Sequence, residues 1–169
     1  MDTKQFQQQI LPLTDRIFPL ARRLLGNACD AEDLVQEVLL KLWDNRDKLD
    51  HHENPIGYIL FTTRNACLDK LKKKKPKRMS VNMSYHTSQN IAKVYEDNEA
   101  VAIIQRIMVD LSEQQRTVIE LRDFDGFELA EIAESMQLDV SYVRVLLSRA
   151  RKTVREKMIK IYDYERRKI

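Results

Sequence analysis

The sequence is poor in the residues that make tight turns. Only 3 glycines and 4 prolines occur among 169 residues, too few for an all-β fold with many turns. It has no run of about 18 apolar residues, which excludes a membrane-spanning helix. The polar N-terminal segment MDTKQFQQQI lacks the hydrophobic region of a signal peptide. We therefore expect an all-α protein that works in the cytoplasm, with no direct membrane insertion.

Residues that bind metals or act as nucleophiles are also sparse. The 2 cysteines, Cys29 and Cys67, lack metal-binding spacing, so both are expected to be reduced thiols packed in helices. His51 and His52 are adjacent and cannot face one metal ion as i, i+4 histidines can. No glycine-rich phosphate loop, Ser/His/Asp set or pair of carboxylates stands out. We predict no metal, no cofactor and no catalytic residue.

Charge is unevenly distributed, although the net charge is only +3. Residues 64–78 contain 8 basic residues and 1 acid, and residues 144–168 contain 10 basic residues and 3 acids. Residues 30–50, by contrast, contain 7 acids and 3 basic residues. A solvated helix face is the simplest interpretation of each block taken singly. Together, the two basic blocks and the acidic block favour two kinds of partner.

The clearest pattern lies between Phe127 and Lys152, where a tight turn separates two helices. One face of the first helix carries apolar residues at three- and four-residue spacing, namely Leu129, Ile132, Ala133 and Met136. Asp139 can cap the second helix, whose predicted buried residues are Val143, Leu146, Leu147 and Ala150. Gln137 stands where such turns often have glycine, so a left-handed conformation is expected there. The pattern predicts a helix-turn-helix, whose second helix normally enters a DNA major groove; an ordinary αα-corner is the alternative.

Helical periodicity covers most of the remaining chain. Helices are predicted over 4–25, 30–48, 56–75 and 97–110, followed by one that starts at the capping box Ser112–Gln115 and buries Phe124. Pro12 and Pro19 are expected to bend or restart the first helix, and Asp30 to cap the second. Residues 77–96 have the weak periodicity of a flexible linker. The predicted fold is all-α, with two small helical domains, 1–76 and 97–169, joined by that linker.

Two segments of the chain have a recognisable sequence. The first consists of DAEDLVQEVLLKLW (residues 30–43) followed by NPIGYILFTTRNACLDKLKKK (54–74), and the second is residues 111–158. The first resembles region 2 of bacterial sigma factors, and the second resembles their region 4. A short chain with only these regions and a linker resembles the extracytoplasmic-function (ECF) group of the sigma-70 family. This double match is more specific than a lone helix-turn-helix. Gln137 departs from the glycine usual in the turn, which we expect to alter its geometry without removing the function.

The resemblance implies a surface that binds core RNA polymerase. In the family, the corresponding helix docks on the clamp helices of the polymerase β′ subunit. Here that surface would consist of Asp33, Gln36, Glu37, Leu40, Lys41 and Trp43. Acids that flank an exposed apolar patch suit a basic coiled coil. Trp43 could instead close the core of its domain, and both roles can hold together.

The resemblance also implies a site for the minus-ten promoter element. In the family, a loop and the helix after it hold a base flipped out of the non-template strand, which costs a few kcal/mol that the pocket must offset. The minus-ten loop here would be Asp50, His51, His52, Glu53 and Asn54, which are rich in hydrogen-bonding groups. Phosphates and the upstream duplex edge would be held by Arg64, Asn65, Lys70, Lys72, Lys73, Lys74 and Lys75.

The second helix of the helix-turn-helix would read the minus-thirty-five element, again by resemblance. Its residues closest to the bases would be Val140, Ser141, Tyr142, Arg144 and Val145. Arg149, Arg151 and Lys152 would hold phosphates or the flap of the polymerase β subunit. Arg144 is the first candidate for a bidentate pair with guanine.

The function implied by the resemblance is that of a dissociable promoter-specificity subunit with no catalytic activity of its own. Its partners would be core RNA polymerase, promoter DNA and an anti-sigma factor, which commonly holds ECF factors inactive. A free-standing helix-turn-helix regulator that binds operators as a dimer is the alternative, although residues 1–80 show no signal of a ligand pocket. An enzyme acting on nucleic acid is a third hypothesis, which no metal-carboxylate cluster or nucleophile pair supports. The arrangement of the two domains in the free protein stays open.

Overall fold

The structure, a computed structural model, describes residues 1–74 and 99–166. These residues form helices and turns with no strand among them, so the predicted all-α fold is confirmed. The N-terminal half (residues 1–74) contains α1 (Thr3–Gln9), α2 (Thr14–Leu25), α3 (Ala28–Asp44), α4 (Arg46–Asp50) and α5 (Pro55–Lys74). The C-terminal half (residues 99–166) contains α6 (Glu99–Val109), α7 (Glu113–Ile119), α8 (Leu129–Met136) and α9 (Val140–Arg166). The predicted linker, residues 77–96, lies outside the described residues.

Prolines and side-chain caps set the helix ends in the N-terminal half. Pro12 lies in a 3₁₀ turn, Leu11–Leu13, that separates α1 from α2, whereas Pro19 lies inside α2 without ending it. The predicted cap of α3 is wrong: Asn27, rather than Asp30, has the extended backbone of a cap. Its side-chain oxygen accepts a hydrogen bond from the backbone N–H of Cys29 at 2.9 Å. Asp30 lies in the first turn, where a negative charge complements the helix dipole.

A π-helical turn, Glu120–Phe124, follows α7 in the C-terminal half. The backbone N–H of Asp125 donates to the carbonyl of Glu120 at 3.1 Å, a five-residue step that changes which side chains face the core. The expected burial of Phe124 is therefore wrong: its side chain is 53% exposed, and Phe127 is buried instead. The predicted capping box of α7 is confirmed, since Ser112 and Gln115 exchange side-chain to backbone hydrogen bonds.

The helix-turn-helix consists of α8, a turn at residues 137–139, and α9. Gln137 ends α8 with a φ of 55°, which confirms the left-handed conformation expected at this non-glycine position. The inner face of α9 is buried at the four positions that the sequence predicts, Val143, Leu146, Leu147 and Ala150. Ala133, beneath the crossing of the two helices, is also buried. The turn geometry therefore forms without glycine.

Both halves of the chain contribute to one hydrophobic cluster. Leu42 and Leu60 belong to it from the N-terminal half, and Val118, Phe127 and Ile132 from the C-terminal half. Helix α8 packs along α5, while α9 packs on α6, α7 and α8. The two halves therefore lie against each other in the free chain, an arrangement that the sequence left open.

The two cysteines differ in environment. Cys67 is buried in α5, where desolvation raises the pKa of its thiol to about 12. Cys29 is exposed in the first turn of α3, so the expectation that both thiols are packed is wrong for Cys29. Within the described ranges, no helix has both the length and the apolar composition needed to cross a membrane.

Candidate nucleic-acid interface

The outer face of α9 presents the side chains that the sequence assigns to the minus-thirty-five element. All eight are exposed, namely Val140, Ser141, Tyr142, Arg144, Val145, Arg149, Arg151 and Lys152. The 3.6-residue helical period separates them from the buried face, because buried residues recur at 143, 146, 147 and 150. Val145 and Tyr142 are each 42% exposed, so apolar and hydrogen-bonding groups stand beside the cations. This mixture can contact both base edges and phosphates.

Arg151 differs from the other cations of this face because it has a strong partner. Its Nη2 and Nε donate to the two carboxylate oxygens of Asp123 at 2.5 Å and 3.0 Å. The hydrogen bonds to Asp123 raise the pKa of Arg151 above its ordinary value. This bidentate pair joins α9 to the π-helical turn, so part of the donor capacity of Arg151 is already used.

An open cavity of about 560 Å³ lies beside the outer face of α9, which we call the recognition face. Its basic lining residues are Arg122, Arg144, Arg151, Lys152 and Arg155. Arg122 also donates to the carbonyl of Phe127 at 2.9 Å and pairs with Glu128 at 2.9 Å. Such a concentration of cations favours a phosphate-bearing ligand. The sequence analysis does not assign two of these residues, Arg122 and Arg155, to the site. Arg155 could have been found from its helical register with Arg144 and Arg151, whereas no local sequence pattern points to Arg122.

The predicted minus-ten loop is divided between two environments. Asp50 accepts a hydrogen bond from the N-terminal ammonium at 3.1 Å, and His51 and Glu53 are exposed. Asn54 caps α5, since its side-chain oxygen accepts from the N–H of Gly57 at 3.0 Å. The Nδ1 of His52 accepts from the backbone N–H of Asn54 at 3.2 Å. His52 and Asn54 therefore contact each other, whereas Asp50 pairs with the N-terminal ammonium.

The basic residues of α5 that are predicted to hold phosphates are not equivalent. Lys70 donates to the carbonyl of Asp30 at 3.1 Å and lies 3.4 Å from its carboxylate, which ties α5 to α3. Lys72 and Lys73 are exposed, and Lys72 has Asp69 at 3.7 Å. Arg64 and Asn65 are half-buried. Lys75 and the side chain of Lys74 lie outside the described residues.

The acidic face of α3 is exposed, as the predicted polymerase surface requires. Asp33, Gln36, Glu37 and Lys41 are exposed around Leu40, whose side chain is 66% accessible. A large apolar side chain surrounded by polar groups is typical of a protein-binding site. Trp43 is half-buried instead. Its ring packs edge-on against Phe6 at 5.1 Å, and the guanidinium of Arg46 lies 4.4 Å from the ring centre.

These features define a two-part helical protein in which α9 has an exposed basic face and α3 has a separate exposed acidic face around Leu40. The family model of Sigma-70 region 2 matches residues 12–77, and that of Sigma-70, region 4 matches residues 102–154. A relative, the ECF RNA polymerase sigma factor SigW of Bacillus subtilis (strain 168), is 26% identical over 163 residues, covering 85% of this chain and 83% of its own length.

Solved structures show the same fold. CnrH, in complex with the cytosolic domain of CnrY, superposes with a TM-score of 0.64 at 19% identity, over 94% of this chain and 90% of that one. The sigma factor RpoE, in complex with the anti-sigma factor NepR from Bartonella quintana, superposes with a TM-score of 0.62 at 20% identity, over 92% of this chain and 98% of that one. The chain belongs to the ECF group of the sigma-70 family. This assignment favours a sigma factor over a free-standing dimeric regulator.

Proposed function

We propose that the chain is a dissociable specificity subunit of bacterial RNA polymerase that works in the cytoplasm and has no catalytic activity of its own. It binds core polymerase and directs the enzyme to promoters that carry minus-ten and minus-thirty-five elements. The observation that carries this proposal is the presence of regions 2 and 4, in that order, in one chain. Each region has an exposed surface suited to its role.

The outer face of α9 would supply promoter affinity at the minus-thirty-five element. Arg144 has no ion-pair partner among the described residues, so its guanidinium is available for a bidentate contact with guanine. Arg149 and Lys152, exposed one and two turns further on, would neutralise phosphates. Arg151 would act mainly by holding Asp123, with its remaining donors directed outward.

The acidic face of α3 would bind the β′ clamp helices, with Leu40 as its apolar centre. Since Trp43 packs against Phe6, its contribution to docking would be through the shape of this face. Because core polymerase would hold both DNA-binding regions at once, each can be weak alone. An anti-sigma factor is a further proposed partner, supported by the partners of the two similar structures, NepR and CnrY.

Run-off transcription with core polymerase from the source organism tests the proposal. The template would be the promoter of this protein's own operon, followed by a library of genomic fragments. We expect discrete transcripts that require the protein, and that fade with Arg144→Ala and with alanine at residues 72–75. Arg106→Ala, which removes an exposed arginine of α6 outside the proposed sites, is the matched control. Absence of transcripts on the whole library, with no co-purification of core polymerase, would reject the sigma-factor function.

A further inference from the structure

The recognition face of α9 has an uncharged row of side chains along its middle. Ser141, Val145 and Ser148 follow one another at four- and three-residue spacing, so they project from one line along the helix. All three are exposed, and they lie opposite the buried Val143 and Ala150. A ligand that approaches the centre of this face therefore meets two hydroxyl groups and one aliphatic side chain.

Cations flank this middle row on both sides. On one side, Arg144 and Arg151 line the basic cavity. On the other side, Arg149 is exposed and does not line that cavity, and the hydroxyl of Tyr142 donates to the Oε1 of Gln114 in α7 at 3.4 Å. A helix about 10–12 Å in diameter fits a major groove about 12 Å wide, with its flanks towards the two phosphate strands. The charge pattern of α9 matches that position, because its neutral row would face the bases and its cations the phosphates.

Val145 is the apolar member of the middle row. Its side chain is 42% exposed. Single exposed aliphatic side chains are common on protein surfaces and by themselves need no explanation. What distinguishes Val145 is its place between two serines, on the line directed at the base edges. In that place an aliphatic side chain can offer a base only an apolar contact.

One of the four bases of DNA has an apolar group at its major-groove edge. Thymine carries its C5-methyl group there, whereas the other three bases are distinguished by hydrogen-bond donors and acceptors. The two methyl groups of Val145 complement this group, since contact between them removes apolar surface from water. The neighbouring Ser141 and Ser148 are small, so they leave room for that contact and can bond to adjacent base edges.

We propose that Val145 is a specificity-determining residue that recognises the C5-methyl group of a thymine in the minus-thirty-five element. The assignment of α9 to that element rests on the proposed function. Arg144, which is adjacent in sequence, reads guanine by hydrogen bonds in that function, so the two residues discriminate between bases by different chemistry. The element recognised by this chain therefore contains an A·T pair whose methyl group contributes to binding, close to the G·C pair.

Replacement of thymine by deoxyuridine tests this contact, because the two bases pair identically with adenine and differ only in the methyl group. The DNA is a promoter mapped by run-off transcription, in which each thymine of the minus-thirty-five element is replaced singly. The protein is the full chain bound to core polymerase. We expect one position at which loss of the methyl group weakens binding about fourfold, as burial of one methyl-sized group predicts.

A double-mutant cycle assigns that effect to a side chain. Val145→Ala, a truncation at an exposed position that should leave the fold intact, should bind the thymine and deoxyuridine promoters equally. It should also bind the thymine promoter about fourfold more weakly than the unmutated protein does. Val109→Ala makes the same truncation at a valine of α6 that is 55% exposed and lies outside the proposed sites. This matched control should keep both the affinity and the methyl effect.

Val140→Ala provides the comparison within α9, because Val140 is 38% exposed at the first position of the helix. The methyl effect should persist in this variant. If it disappears in Val140→Ala and persists in Val145→Ala, the contact belongs to Val140 and the inference is overturned. Absence of any methyl-dependent thymine, or an undiminished methyl effect in Val145→Ala, also overturns it.

These outcomes are distinct from failure of the proposed function. In each of them the holoenzyme still binds the unmodified promoter, so the sigma-factor function stands and the thymine contact alone is rejected. A holoenzyme that does not bind the unmodified promoter would overturn the proposed function and this inference together.

Discussion

The outer face of α9 and the minus-ten loop are both proposed DNA-binding surfaces, but their states in the free chain differ. The side chains on the outer face of α9 are exposed, and Arg144 has no ion-pair partner among the described residues. In the loop, by contrast, His52 and Asn54 are half-buried and contact α8. The outer face of α9 is therefore open to solvent, whereas two of the five loop residues contact another part of the same chain.

This difference follows from the kind of interaction that positions each surface. The face of α9 is set by a helical period within the helix-turn-helix. The loop is set by contacts across 76 residues of sequence, as between Asn54 and Ala130.

The largest effect is expected where the division of α9 into two faces is broken. Leu146, which is 4% exposed, and Val145, which is 42% exposed, are adjacent in sequence and lie on opposite faces. Leu146→Ala should lower the free energy of unfolding by roughly 2–5 kcal/mol, because it leaves a cavity in the core. Val145→Ala should change it by less than about 0.5 kcal/mol. Urea denaturation followed by circular dichroism compares them; equal losses would mean that α9 does not present the face described here.

The next effect separates base reading from phosphate binding on the exposed face. Arg144→Ala should weaken binding to the cognate minus-thirty-five duplex by about 1–3 kcal/mol and relax the preference at one base pair. Arg149→Ala should instead weaken binding to all sequences and reduce the salt slope by about 0.9. Holoenzyme binding to a set of single-base promoter variants at several salt concentrations distinguishes them. The same loss on every sequence for Arg144→Ala would reassign it to phosphate contact.

Much of this fold follows from local patterns in the sequence. The exposed and buried positions of α9, the capping box Ser112–Gln115 and the left-handed Gln137 are all short-range features, so a single sequence contains their signals. The π-helical turn has no such short-range signal in the sequence. Its five-residue step is seen only in the hydrogen bond from the N–H of Asp125 to the carbonyl of Glu120, and this step leaves Phe124 exposed.

The interface between the halves has no comparable signal. Arg23, Glu120 and Asp125 each look like ordinary charged surface residues in their own helical segments, since a charge on a helix is usually solvated. Their burial depends on which segment arrives opposite, about 100 residues away in the chain. Gly57 is a local irregularity at this interface, because it is a glycine inside a helical pattern. The need for glycine at this position becomes clear only from the structure, in which Glu134 lies against it.

Proton binding at Glu120 should make the contact between the halves depend on pH. Burial raises the pKa of Glu120 to about 7, more than the charges of Arg23 and Arg116 lower it, and Asp125 raises it further. Burial alone would lower the pKa of Arg23, but Asp125 and Glu120 outweigh it, so Arg23 stays charged. When the halves separate, Glu120 is rehydrated and its pKa returns towards the ordinary value of 4.5.

The state in which the two halves are packed together therefore binds more protons between about pH 4.5 and 7 than the state in which they are separated. The contact between the halves should strengthen as the pH falls from about 7 towards 4.5. Distances between spin labels on Cys29 and on a cysteine introduced by Glu113→Cys should be more broadly distributed at pH 8 than at pH 6. The ratio of packed to separated molecules should change by at most about tenfold per pH unit. Glu120→Gln, which is neutral throughout, should remove the dependence. A pH response that survives in Glu120→Gln must come from another group and would contradict this assignment.

The smallest effect concerns Arg151, which forms a bidentate pair with Asp123. Arg151 is half-exposed, its side chain being 49% accessible, so its pair with Asp123 should contribute only about 0.2–1 kcal/mol to stability. A double-mutant cycle with Arg151→Ala and Asp123→Ala measures that coupling by urea denaturation. If Arg151 acts mainly through Asp123, Asp123→Ala should weaken promoter binding about as much as Arg151→Ala, and the double variant no more than either. If Asp123→Ala instead strengthens binding by freeing the guanidinium, Arg151 is a direct phosphate contact, and the recognition face in the free chain is itself partly occupied.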